Sequence, residues 1–171
     1  SSGKLSSIFG NSYSGGFTLN MWFKRDANCR LFSIETTSNN AERGPIFTHV
    51  NNSTIRFQIN GTTSDNFYYI LDAPITHNTS FRCFTLVMSP NSAGQLDLDG
   101  YIDSVKSSAT PFGTQPSAIN FERNIFIGVI SPTYNFGRAY INGNLGPTQI
   151  YNRALSANEV LHNYNALKGR F

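Results

Sequence analysis

Apolar and polar residues alternate in short runs along most of the chain, and a period of two predicts half-buried strands. In Phe17–Lys24 the residues Phe17, Leu19, Met21 and Phe23 fall on one face, with Asn20 and Trp22 on the other. Further strand-like runs occupy 29–35, 45–50, 54–61, 66–71, 81–88, 95–103, 124–129, 138–144 and 146–152. Turn-forming residues separate them. Asn60-Gly61 reads as a hairpin, since both tolerate the positive φ of a type I′ turn. Asp99-Gly100 reads as a second bend, which would divide the run 95–103. Residues 106–118, rich in Ser, Thr, Gly and Pro, read as an irregular crossing.

One helix is expected, near the end. Ser156 suits an N-cap, and Glu159 three residues on completes a capping box. Val160, Leu161, Tyr164 and Leu167 then make an apolar stripe at helical spacing, and Gly169 supplies a stop. A helix of about three turns is marginal alone in water, so it must dock on the strands. About ten short strands without alternating helices predict an all-β antiparallel sandwich or barrel.

Composition narrows this picture without redirecting it. At 171 residues the chain suits one domain, expected to span 1–171, that buries about two-thirds of its unfolded surface. Fourteen Phe and eight Tyr with only 13% charged residues exclude a disordered chain or a coiled coil. The net charge of +3 is scattered, with no basic stripe for nucleic acid. No apolar run approaches the ~20 residues of a membrane span. Cys29 and Cys83 lack metal-ligand spacing; they read as buried thiols, or as a disulfide if their Cα atoms lie within ~7 Å.

The stretch RAYINGNLGPTQIYNRALSANEVLHNYNALKGRF resembles the end of laminin-G-like, concanavalin A-like lectin/glucanase domains. In those, a glycine-marked turn leads through a last strand to an N-R-A-L-S-x-x-E cap and a closing helix. FTLNMWFKR is similar to the family's first long strand, and QLDLDGYID to its Asp-Gly hairpin. Where the family often has Trp-His, this chain has Phe81-Arg82, which keeps the aromatic. The resemblance implies an antiparallel two-sheet jelly-roll sandwich with one short C-terminal helix. The spelling IYNRALSANEVLHNYNALKGRF is most similar to versions that end virion structural proteins of tailed phages and other large viruses. That likeness implies the C-terminal part of a longer chain, at a virion surface or otherwise extracellular.

Candidate chemistry is sparse. Asp97, Asp99 and Asp103 alternate in LDLDGYID, and retaining glycosidases of this fold need two carboxyls about 5–5.5 Å apart. The Asp-Gly bend argues against such a pair. Asp99, Asp103, Asn142 and Asn144 could offer oxygen ligands to a structural Ca²⁺, but most Asn and Asp here are turn formers, and no cofactor is assigned. His49, His77 and His162 form no metal or catalytic pattern. The loop residues Tyr134, Asn135, Phe136 and Arg138 have the chemistry of a sugar site, an aromatic face beside polar donors and acceptors. Phe47, Phe57, Phe84 and Phe126 are assigned to the core. The expected function is therefore a non-catalytic binding or surface-decoration module of a virion structural protein. Its partners would be glycans or neighbouring virion proteins, with homo-oligomerisation open. The alternatives are a polysaccharide-acting glycoside hydrolase and a purely structural oligomerisation domain.

Overall fold

Alternating side chains require a sheet with two unlike faces, and the chain builds two such sheets. The computed structural model describes residues 6–9, 13–27, 29–34, 46–50, 54–60, 66–72, 80–107, 109–113, 115–119, 121, 125–128 and 141–171. A short helix α1 (Ser6–Phe9) precedes β1 (Phe17–Arg25), β2 (Cys29–Ile34), β3 (Ile46–Val50), β4 (Thr54–Asn60) and β5 (Asn66–Asp72). There follow β6 (Arg82–Pro90), β7 (Leu96–Ile102), β8 (Val105–Ser107), β9 (Ala109–Phe112), β10 (Ile125–Ile127) and β11 (Gly143–Tyr151). Helix α2 (Ala157–Leu167) and a 3₁₀ turn (Lys168–Arg170) complete the described fold. One sheet has the order β11-β1-β6-β7-β8 and the other β10-β2-β3-β4-β5-β9. All the strand pairs are antiparallel. This is the expected jelly-roll sandwich.

The inward faces carry the predicted alternation. Phe17, Leu19, Met21 and Phe23 of β1 are fully buried with Phe84, Leu86 and Met88 of β6. Leu31, Phe32, Ile55 and Phe57 join them from the second sheet. Phe9 and Phe121 close one end, their rings stacked at 4.6 Å and both against Phe17. Burying one such ring removes about 150–250 Å² from water, so these aromatics dominate the folding energy. Phe57 and Phe84 are core as expected; Phe126 is only half-buried, because β10 is an edge strand. The side chain of Phe47 lies outside the described residues. No disulfide is present: Cys29 and Cys83 are buried thiols in different sheets.

Three local expectations are corrected. Asp99-Gly100 is no bend: β7 runs straight through it, with Gly100 paired to Leu86. The reversal comes at Asp103-Ser104, between the paired residues Ile102 and Val105. Both turn residues take positive φ, 50° and 67°, the type I′ geometry. The hairpin of β4 and β5 exists, but Asn60 is its last paired residue, opposite Asn66. Five residues thus separate the pair, more than a two-residue turn spans, and Gly61 lies outside the described residues. Residues 106–118, read as irregular, contribute to β8 and contain β9.

Helix α2 starts as predicted. The Ser156 side chain accepts from the Glu159 amide while Glu159 accepts from the Ser156 amide. Arg153 pairs with the same carboxylate at 2.6 Å. Arg153 and the Ser156 bonds hold the Glu159 carboxyl down to about 2. Leu155 and Val160 are buried together, the staple that fixes the entry of the chain. Leu161, however, is 44% exposed and belongs to the outer side of the helix. Gly169 is not the stop, since the helix passes into the 3₁₀ turn that contains it.

A non-glycine residue held at positive φ is strained, and Asp103 is stabilised there by its hydrogen bonds while Ser104 has no such bond among the described residues. Ser104→Gly is expected to raise unfolding stability by about 0.5–1 kcal/mol. Urea denaturation checks this; an unchanged or lower midpoint contradicts the turn geometry.

Candidate functional site

The loop residues Tyr134, Asn135, Phe136 and Arg138 lie outside the described residues. The acidic trio lies within them. With β7 straight, Asp97, Asp99 and Asp103 all point away from the core, but each carboxylate has its own partner. Asp97 accepts from Asn91 Nδ2 at 3.0 Å and Gln115 Nε2 at 2.6 Å. Asp99 pairs with Lys106 at 2.8 Å. Asp103 pairs with Arg82 through Nε and also accepts the Cys83 amide at 2.8 Å. No two of them accept from the same partner. The same pairings argue against the calcium idea, because Asp99 and Asp103 are already neutralised by cations. Among the described residues no three His, Cys, Asp or Glu side chains gather to hold a metal. His162 is an exposed helix residue.

The outward face of β1, β6, β7 and β11 holds the more distinctive arrangement. It is the face the sequence places Asn20 and Trp22 on, and α2 covers it. Polar residues form a closed line beneath the helix. Asn20 Nδ2 donates to Gln149 Oε1 at 2.8 Å, while Asn20 Oδ1 accepts from Thr85 Oγ1 at 2.8 Å and Cys83 Sγ at 3.0 Å. Asn20 is 1% exposed and Cys83 also 1%. Their hydrogen bonds offset a burial that would otherwise cost about 1–3 kcal/mol per group. Burial drives the Cys83 thiol up to about 12; the Thr85 hydrogen bond opposes this, and nearby Asp103 adds to it. Thr18 ties the approach to the helix, donating to Arg153 O and accepting the Leu155 amide.

Beside this line lies a ladder of aromatic rings. Trp22 stacks on Tyr164 of α2 with centroids 5.5 Å apart and planes 5° apart. Phe171 stacks on Trp22 at 5.0 Å, and Phe81 tilts against Phe171 at 4.7 Å. Gly146 of β11 makes the ladder fit, since a Cβ there would press on Trp22 Cβ at 2.8 Å and Phe171 Cζ at 3.2 Å. Gly143, at φ 145°, lies where any Cβ would strike the Lys24 carbonyl. Trp22 is 2% exposed and Phe171 43%. The ladder's edge is polar: the Tyr164 hydroxyl is pushed up by burial and by nearby Asp103, with Arg82 opposing. Lys168 Nζ lies 5.7 Å from the Tyr164 centroid. Alternation along β1 puts Trp22 on the outer face and helical spacing puts Tyr164 in the apolar stripe, but no pattern along the chain draws Phe81 to them.

Comparison with known proteins agrees with this architecture. A family model described as the concanavalin A-like lectin/glucanases superfamily matches residues 3–161. No curated protein matches in sequence. Among solved structures, mouse laminin α1 domains LG4-5 superpose with TM-score 0.59 at 11% identity, covering 85% of this chain and 40% of that one. Botulinum neurotoxin type C, whose cell entry depends upon interaction with two ganglioside molecules, gives 0.63 at 14%, covering 95% and 38%. The CBM40 domain of the Ruminococcus gnavus IT-sialidase, bound to α2,3 sialyllactose, gives 0.60 at 13%, covering 93% and 86%. The chain thus spans well under half of the laminin and neurotoxin chains, and the likeness is one of fold.

The buried thiol carries a pH signature. Its pKa in the fold lies above the ordinary 9.0, so its stabilising share is complete below that value and is lost as pH rises towards about 12. Wild type should therefore lose stability between about pH 8 and pH 10.5 by more than Cys83→Ser, in denaturation series at both pH values. Equal losses would contradict the burial of this group.

Proposed function

Because the chain belongs to the concanavalin A-like lectin/glucanase superfamily, we propose that it is a non-catalytic binding module that contacts glycans or a protein at a virion surface. One observation carries the non-catalytic half. Hydrolysis of a glycosidic bond needs one carboxylic acid to give a proton and a second carboxylate, ~5–9.5 Å away, to attack or activate water. Asp97, Asp99 and Asp103 are instead engaged separately by Asn91 and Gln115, by Lys106 and by Arg82. No two of these three carboxylates work on a common partner, as an acid and its nucleophile would have to.

The binding half is supported by the company the fold keeps. Its structural neighbours include laminin LG domains, a toxin bound up with gangliosides and a domain holding sialyllactose. The virion setting rests on the similarity of residues 150–171 to the ends of viral structural proteins.

A glycan array with the purified chain, followed by a reducing-sugar assay on every glycan bound, tests the proposal. Binding to at least one glycan without release of reducing ends is expected. Release of reducing ends that disappears in Asp97→Asn would replace the proposal with a glycosidase.

A further inference from the structure

The aromatic ladder contains one group that its surroundings do not satisfy. Trp22 Nε1 is buried, and among the described residues it has no hydrogen-bond partner. Buried donors are nearly always paired, and an exception asks for an explanation. The two rings stacked on the indole leave it unmet: Tyr164 at 5.5 Å and Phe171 at 5.0 Å lie over its faces, while the N–H points out in its plane. That phenyl is also the least secured member of the ladder. It follows a 3₁₀ turn with no side-chain cap and no buried residue, and it is 43% exposed.

We propose that the slot formed by Trp22, Tyr164, Phe81 and Gly146 is a glycan subsite for one pyranose ring, and that Phe171 is a plug which the sugar displaces. The inference rests on the glycan-binding reading above and names its site. A pyranose presents a flat face of C–H groups that stacks on an indole as a phenyl does. Unlike a phenyl, it carries oxygen-bearing arms, and one that reaches past the indole edge, such as an exocyclic group, supplies the acceptor that Trp22 Nε1 lacks. Gly146 leaves room for a ring at this position, where a Cβ would meet Phe171 Cζ at 3.2 Å. Polar groups for the remaining hydroxyls stand at the rim. Arg82 holds Asp103 through Nε, and its Nη groups have no partner among the described residues. The Tyr164 hydroxyl lies within the field of that ion pair. With the plug in place only a fraction of molecules is open, so the apparent affinity is reduced by that fraction.

The chain has a single tryptophan, so its ¹⁵N spectrum holds one indole N–H cross-peak. That peak is followed while methyl β-galactopyranoside, methyl β-glucopyranoside and methyl β-glucuronide are titrated separately into wild type and Phe171→Ala. The indole peak should move saturably with at least one sugar, and Phe171→Ala should bind that sugar about ten-fold more tightly. Trp22→Phe, which keeps a ring and removes the N–H, should lose most of that affinity, read from backbone amide shifts. If a sugar moves backbone peaks elsewhere and leaves the indole peak in place, the subsite is wrong while glycan binding stands. If Phe171→Ala binds no better than wild type, the plug is wrong. If no sugar of the series moves any peak of either protein while the array shows a bound glycan, the subsite is again wrong. Silence in both experiments ends the subsite and the glycan reading together.

Discussion

A sheet in a sandwich has a second face, and here that face is as unsuited to water as the first. Trp22, Val87 and Tyr101 stand on the outer side of β1, β6 and β7, and all three are buried. The helix that follows β11 makes that possible. Leu155 and Val160 press on Val87 and Tyr101, and Tyr164 lies flat on Trp22. The capping box and Arg153–Glu159 pair at its start fix where the helix begins, so its apolar side lands on the sheet. Docking also seals Asn20, Thr85 and Cys83 from water, which their mutual hydrogen bonds permit. The candidate site inherits its geometry from this contact, because three of its four rings ride on β1, α2 and the turn after it.

The main lines of this arrangement are legible in the sequence because they come from regular spacing. Phe17, Leu19, Met21 and Phe23 announce a strand and its buried face; Ser156, Glu159 and Val160 announce a helix start. Both signals are repeated over several residues, so a single misleading position does not spoil them. Single-dipeptide signals fare worse. Asp99-Gly100 is a strong local turn former, yet Leu96, Leu98 and Ile102 must all face the core, and only a straight β7 allows it. Gly100 then serves as a small inward residue opposite Leu86. The reversal is displaced to Asp103-Ser104, where Arg82 and the Cys83 backbone secure the strained Asp103. Tertiary pairing has overridden local preference.

The site is less legible for the same reason. Trp22 lies 59 positions from Phe81 and 142 from Tyr164, and no spacing rule links these three. Tyr164 and Trp22 could be assigned to the right faces, but their meeting depends on the helix returning over β1. The partners of Asp97, Asp99 and Asp103 are invisible to pattern as well: Gln115, Lys106 and Arg82 arrive from other strands and a connecting segment. The Asp-Gly bend that argues against a carboxyl pair in the sequence is absent, and what separates Asp97, Asp99 and Asp103 in the fold is that each is engaged by its own partner.

Acrylamide quenching of the single tryptophan tests the docking on which all this depends. The account predicts that Trp22 emission is strongly protected in the native protein and becomes freely quenched when the chain is ended after Ser156. Free quenching of the intact native protein, or equal protection without the helix, would contradict it.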